Sequence, residues 1–180
     1  MKNKIDKKKI VETVIFIAVA ALLIFGIPKF VMQRVDVKGD SMETTLHDKD
    51  VLLVEKVTRY FGAIDRYDII VFYPDEKTKK ANGDYNIKRV IGLPGETVQI
   101  VGQTILINGE PLEEAYGSTE MKIAGVAEQP LKLGKDEYFV LGDNREVSLD
   151  SRRNGPVPLS RIEGKLLLRI FPLKRFGTVN

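Results

Sequence analysis

Asn86-Ile87-Lys88-Arg89-Val90-Ile91-Gly92-Leu93-Pro94-Gly95 is an apolar strand pattern that carries two cations and ends at a turn. Proline fixes φ and glycine is free to take φ > 0, so Leu93-Pro94-Gly95 suits a tight reversal. Strict alternation puts Lys88 on a face with Val90, and Ile87, Arg89 and Ile91 on the other. One of the two cations therefore faces apolar surroundings. A buried lysine loses the hydration of its ammonium form, which lowers its pKa and suits it to act as a base near neutral pH. The commoner alternative is a strand-edge lysine with its head in water.

Outward from this stretch the pattern repeats. Short runs rich in β-branched residues predict strands at Val35–Lys38, Val51–Val57, Asp68–Tyr73, Thr97–Ile100, Thr104–Ile107, Glu137–Leu141 and Lys165–Ile170, with the central one at Tyr85–Ile91. Val101-Gly102-Gln103 separates two alternating runs, and Asn108-Gly109 is a hairpin signal. The reading is a mainly antiparallel β domain, with no phosphate-binding glycine loop and no βαβ alternation. Asp75–Asp84 is polar and reads as a loop. Glu113–Leu133 lacks a sustained period and reads as a surface excursion.

The N-terminus differs. Val14–Ile27 reads VIFIAVAALLIFGI, and with its flanks it reaches the roughly 20 residues that span a bilayer as a helix. Five lysines (Lys2, Lys4, Lys7, Lys8, Lys9) precede it, opposed only by Asp6. The positive-inside bias then predicts a cytoplasmic basic tail (residues 1–9), a transmembrane anchor helix (10–31) and an extracytoplasmic β-rich domain (32–180). A cleavable leader has a similar start, but Gly26-Ile27-Pro28-Lys29-Phe30 offers no small-x-small cleavage pattern. A buried core helix fits poorly with an apolar run that has no polar stripe.

Composition narrows the chemistry. The 180 residues suit one modest domain plus an anchor. The net charge is +3, and without the lysine cluster the remainder is close to neutral, so no basic face calls for nucleic acid. With no cysteine there is no disulfide, thiolate metal site or cysteine nucleophile. The one histidine, His47, leaves almost no material for a Ser–His–Asp triad.

Two more segments bear on function. Gly39-Asp40-Ser41-Met42 can hold a serine exposed at the end of a strand, although most turn serines only make local hydrogen bonds. Leu141-Gly142-Asp143-Asn144-Arg145, continuing to Ser148-Leu149-Asp150-Ser151-Arg152, is dense in polar groups directly after an apolar strand. Such a cluster needs internal hydrogen bonds and ion pairs where it is buried.

Taken together, the anchor, GDSM, KRVIGLPGE and VLGDNREVSLDSR resemble the type I signal peptidases, membrane-bound Ser–Lys endopeptidases. The resemblance covers nearly the whole chain, and the single span is most similar to Gram-positive members. It implies an antiparallel β-sheet catalytic domain with one N-terminal transmembrane helix. It also implies Ser41 as nucleophile, Lys88 as general base and Ser148 as the hydroxyl that orients the lysine amine. Asp150 and Arg152 match a supporting ion pair, with Asp143 and Arg145 in the same scaffold. Met42 helps shape the substrate pocket, with Val37, Leu46, Leu52 and Ile87 as further lining candidates. The chain departs from the family at Thr44, where proline is usual. Gly39 stands where some members have an oxyanion-donating serine.

The resemblance implies removal of signal peptides from exported preproteins by a Ser–Lys dyad, with membrane lipid as the other partner, no nucleic acid, and no metal or organic cofactor. The localisation implied is the cell membrane, single-pass, with the catalytic domain extracellular. Two alternatives stay open. One is a non-catalytic relative that binds exported or pilin-type subunits for assembly. The other is a self-cleaving regulator, against which the membrane span and the lack of a DNA-binding segment argue.

Overall fold

The computed structural model describes residues 7–22, 31–61, 64–81 and 84–179. Among these residues, eleven strands make two sheets. They are β1 Met32–Asp36, β2 Val51–Glu55, β3 Ile69–Phe72, β4 Asn86–Gly92, β5 Thr97–Val101, β6 Thr104–Ile107, β7 Glu110–Pro111, β8 Leu131–Lys132, β9 Glu137–Leu141, β10 Val157–Pro158 and β11 Ile162–Phe171. The larger sheet has the order β1-β2-β11-β3-β4-β9-β10, the smaller β7-β6-β5-β8. Every named pairing is antiparallel, as the sequence predicts.

The turns follow their residues. Asn108 and Gly109 both take positive φ, 54° and 89°, which is the backbone a two-residue hairpin between Ile107 and Glu110 requires. Leu93–Glu96 closes with a Glu96 N–H to Leu93 O bond of 3.1 Å, Pro94 leading and Gly95 at φ 78°.

The strand β4 is the axis of the domain. Ile87 joins an apolar cluster with Val37, Met42, Leu46, Leu52 and Val54. Val90 packs with Ile70, Phe72 and Val140 in a second, and Ile91 with Val98, Ile100 and Phe139 in a third. Both faces of β4 are consequently buried. The expectation that one of its two cations is buried falls short, because Lys88 (4% exposed) and Arg89 (1%) both are.

Two loop readings change. Asp75–Asp84 contains a one-turn helix, Glu76–Lys80, which Asp75 caps by accepting the Thr78 N–H at 2.7 Å. The Glu113–Leu133 segment is no free excursion: Met121, Ala127 and Leu133 are buried in the cluster of the smaller sheet. Their irregular spacing hid this, since a segment anchored at single points needs no period.

At the N-terminus, Lys7–Ala21 is helical, and its apolar side chains Ile10, Val14, Phe16 and Ile17 are exposed. The expected anchor, residues 10–31, runs on into residues 23–30, which lie outside the described residues. Among the described residues no helix is long and apolar enough to cross a membrane.

Candidate active site

Ser41 sits in the connection from β1 to β2, and Lys88 on β4, 47 residues further along the chain. Leu46 N–H bonds Met42 O at 2.8 Å and Glu43 N–H bonds Asp40 O at 3.1 Å, so the segment turns sharply around the serine. Gly39 enters that turn at φ 79°, a conformation that favours glycine. The Glu43–Thr44 peptide bond, where the chain departs from the usual proline, is cis.

Lys88 Nζ lies 2.7 Å from Ser41 Oγ and 2.9 Å from Ile87 O. Burial pulls the Lys88 pKa down to about 8, because the ammonium form loses its hydration, while Asp150 and Asp143 push the other way. An amine poised there is neutral often enough near physiological pH to take a hydroxyl proton.

The polar turn after β9 supplies the surroundings. Arg152 binds Asp150 twice, Nε to Oδ1 and Nη2 to Oδ2, both at 2.8 Å, with both side chains buried. The remaining Asp150 contacts are backbone, including the Gly142 N–H at 3.1 Å. Here the predicted pair is in place. Asp143 does not pair with Arg145. Its partner is Arg89, which grips it bidentately at 2.9 and 2.7 Å. Arg145 instead donates to Gly142 O and pairs with Glu114 at 2.5 Å. Arg89 also donates to Tyr67 O and stacks its guanidinium 3.6 Å over the Tyr116 ring. Thr45 joins the network through its hydroxyl, 2.5 Å from Asp143 Oδ2.

Gly142 is the point of closest approach. A Cβ there would fall 2.3 Å from Ser148 Oγ and 2.4 Å from Ser41 O, so only glycine lets the polar turn pack on the serine loop. Asn144 N–H donates to Ser41 O at 3.1 Å across the same contact. Ser148 is buried beside it, its hydroxyl without a hydrogen-bond partner among the described residues.

A recess of about 60 Å³ opens beside Ser41 and Lys88, with Val37, Met42 and Ile87 in its wall. Leu46 and Leu52, also candidate lining residues, are fully buried in the cluster behind it and do not reach that wall. Tyr85 and Asn86, which sequence reading passed over, do. Arg89, Glu114 and Tyr116 were missed as well. Only the apolar setting of Arg89 gave any local signal of its role.

A buried lysine amine thus stands against a loop serine, braced by two arginine–carboxylate pairs. Comparison with known proteins gives the class. Residues 10–171 match the family described as "Signal peptidase, peptidase S26". A signal peptidase I from Leptolyngbya laminosa is 42% identical over 171 residues, spanning 93% of this chain and 83% of that protein. One from Bacillus licheniformis is 39% identical, spanning 95% and 94%. Signal peptidase IB from Staphylococcus aureus (strain COL) is 36% identical, spanning 94% of each. A crystal structure of a signal peptidase I from Enterococcus faecalis V583, at 35% identity, superposes with a TM-score of 0.45 over 58% of this chain and 97% of that one. The chain belongs to the signal peptidase family, peptidase S26, and its activity is that of a signal peptidase I, a serine endopeptidase.

Proposed function

We propose that this enzyme removes signal peptides from exported preproteins with Ser41 as nucleophile and Lys88 as its only base. The observation that carries this is the 2.7 Å approach of a buried Lys88 Nζ to Ser41 Oγ. Neutral Lys88 takes the Ser41 proton as Oγ attacks the scissile carbonyl carbon. The resulting ammonium returns the proton to the departing amine of the mature protein, leaving an ester on Ser41. Lys88 then deprotonates a water that attacks the ester. The signal peptide leaves with a new carboxylate, and Ser41 regains its proton. The small recess walled by Val37, Met42 and Ile87 takes a side chain of alanine size next to the cut.

Residues 10–31 anchor the enzyme in the cell membrane, with 1–9 cytoplasmic and 32–180 outside. The lysine cluster ahead of an uncharged apolar run supports this, as does the exposure of the apolar residues of the first helix. Membrane lipid is therefore one partner and the extended preprotein the other.

Purified full-length enzyme should cut a purified presubstrate at one bond, and Ser41→Ala should not. Binding without cleavage by wild-type enzyme would favour the assembly-factor alternative. Protease added to wall-stripped intact cells should digest residues 32–180. Protection until the membrane is breached would refute the topology.

A further inference from the structure

We infer that the C-terminal hook, residues 169–177, is a brace that positions the Ser41 loop, acting through Asp50. This rests on the dyad reading of Ser41 and Lys88. Asp50 is a fully buried carboxylate that the mechanism does not use. It closes the β1–β2 connection from beneath, its Oδ2 accepting the His47 N–H at 3.1 Å and its carbonyl accepting the Val37 N–H at 2.8 Å. Two arginines from the far end of the chain meet it there, Arg175 on Oδ1 at 2.8 Å and Arg169 on Oδ2 at 3.2 Å.

The hook is shaped to deliver them. After β11 the chain turns through Leu173–Arg175, and Gly177 exchanges both backbone bonds with Arg169, at 2.8 and 3.0 Å. Arg169 Nε holds Arg175 O at 2.7 Å, so the two guanidiniums are set as one unit. Arg169 also donates to Thr45 O at 3.2 Å. Thr45 is thereby held from two sides: its carbonyl by the hook, its hydroxyl by Asp143 of the polar turn. Ser41 lies between those fixed points and Gly39, whose N–H is bound by Asp48 at 3.0 Å.

A buried carboxylate shared by two arginines is costly to assemble and costly to break. Its placement under the nucleophile loop, outside the apolar core, gives that cost a catalytic return: the loop is kept closed over Lys88. Asp50, Arg169 and Arg175 are positioning residues, acting on Ser41 through the loop. With the brace cut, the loop loosens, Oγ drifts from Nζ, and water reaches the amine. Lys88 is faced by Asp143 and Asp150, themselves engaged by Arg89 and Arg152, so added hydration moves its titration upward.

The test uses full-length enzyme with Asp50→Asn, Arg175→Ala, Arg175→Lys and, as control, Lys174→Ala, an exposed neighbour. Asp50→Asn should lower kcat by about 100-fold with KM little changed, the cost of misplacing a reacting atom by about 1 Å. Arg175→Ala should lower it less, and Arg175→Lys should restore part. In each impaired variant the midpoint of the pH–rate profile should move up from that of wild type. Amide exchange at Leu46 and Asp50 should quicken in Arg175→Ala and not in Lys174→Ala. A variant with wild-type kcat per folded molecule, an unmoved midpoint and unchanged exchange overturns the brace. If Asp50→Asn does not fold, Arg175→Ala decides by the same readouts. Wild-type enzyme that cuts no presubstrate sinks the dyad reading instead, and the exchange measurement alone then judges the brace.

Discussion

Lys88 and Arg89 are neighbours on one strand, both buried, and their surroundings could hardly differ more. Arg89 is saturated: a bidentate carboxylate, a carbonyl and an aromatic face satisfy its guanidinium. Among the described residues, Lys88 has only a hydroxyl and a carbonyl at its amine. The two nearby carboxylates that would hold it charged are already spoken for, Asp143 by Arg89 and Asp150 by Arg152. The ion pairs thus occupy the counter-charges that would otherwise hold the Lys88 amine protonated. Desolvation outweighs the residual attraction, and the amine titrates at about 8.

The largest break in this contrast is removal of the reactive pair itself. Ser41→Ala and Lys88→Ala should each lower kcat/KM by at least about 10⁴-fold, and the double variant should be scarcely worse, since nucleophile and base act as a unit. Lys88→Arg should fail equally, because a guanidinium keeps its proton at working pH. A pH–rate profile on a presubstrate should rise through about 8 in wild type, as Lys88 loses its proton. Full activity in Lys88→Ala would end the dyad assignment.

Next in size is the arginine that occupies Asp150. Arg152→Ala leaves a buried carboxylate unpaired, which should cost about 3–5 kcal/mol in denaturant unfolding. The freed charge also faces Lys88, so the activity profile of the folded fraction should shift to higher pH. Lost stability with an unshifted profile would show that the pair is scaffold alone and leaves the base untouched.

Much of this was legible in the sequence. The strand pattern worked because short apolar, β-branched runs bounded by glycine, asparagine or proline turns read as strands even where both faces are buried, so β2, β4, β6 and β9 fall close to their expected bounds. Lys88 stood out because an apolar strand carrying a cation is a local contradiction. The partners were not legible. Arg89 meets Asp143 across 54 residues, Arg145 meets Glu114 across 31, and Arg169 meets Asp50 across 119. Such pairings are chosen by strand order, and a charged side chain bears no mark of which distant charge the fold will bring to it. Tyr116 and Met121 were hidden for the same reason, each anchoring an aperiodic segment to distant residues, Tyr116 to Arg89 and Tyr67, Met121 to Gln103 and the apolar cluster of the smaller sheet.

A smaller effect is the linkage between Lys88 burial and stability. Its folded pKa lies below the ordinary lysine value of 10.5, so between about 8 and that value the unfolded chain binds more protons. Stability should therefore rise with pH across that window, and the full penalty for burying the ammonium applies below it. The total is roughly 3 kcal/mol at the ordinary conversion of pKa shift to free energy. Unfolding of wild type and Lys88→Met between pH 7 and 11, compared pairwise, should show the variant's advantage shrinking as pH rises. A constant difference would mean that Lys88 is better hydrated than its position implies.

The smallest expected stability change sharpens the contrast most, because it separates packing from chemistry at one atom. Ser148 Oγ is buried with no hydrogen-bond partner among the described residues, pressed against the glycine that admits the Ser41 loop. A hydroxyl kept only for structure would be bonded, and an unbonded one costs stability that alanine would recover. Ser148→Ala should accordingly leave the unfolding free energy unchanged or raise it by up to about 1 kcal/mol. If the hydroxyl orients the Lys88 amine as the charge redistributes, kcat should still fall by about tenfold to a hundredfold, with KM little altered. Ser148→Thr, which keeps the oxygen but adds a methyl where space is short, should lose both activity and stability. Equal activity in Ser148→Ala and wild type would leave the lysine positioned by strand β4 and the Ile87 carbonyl alone.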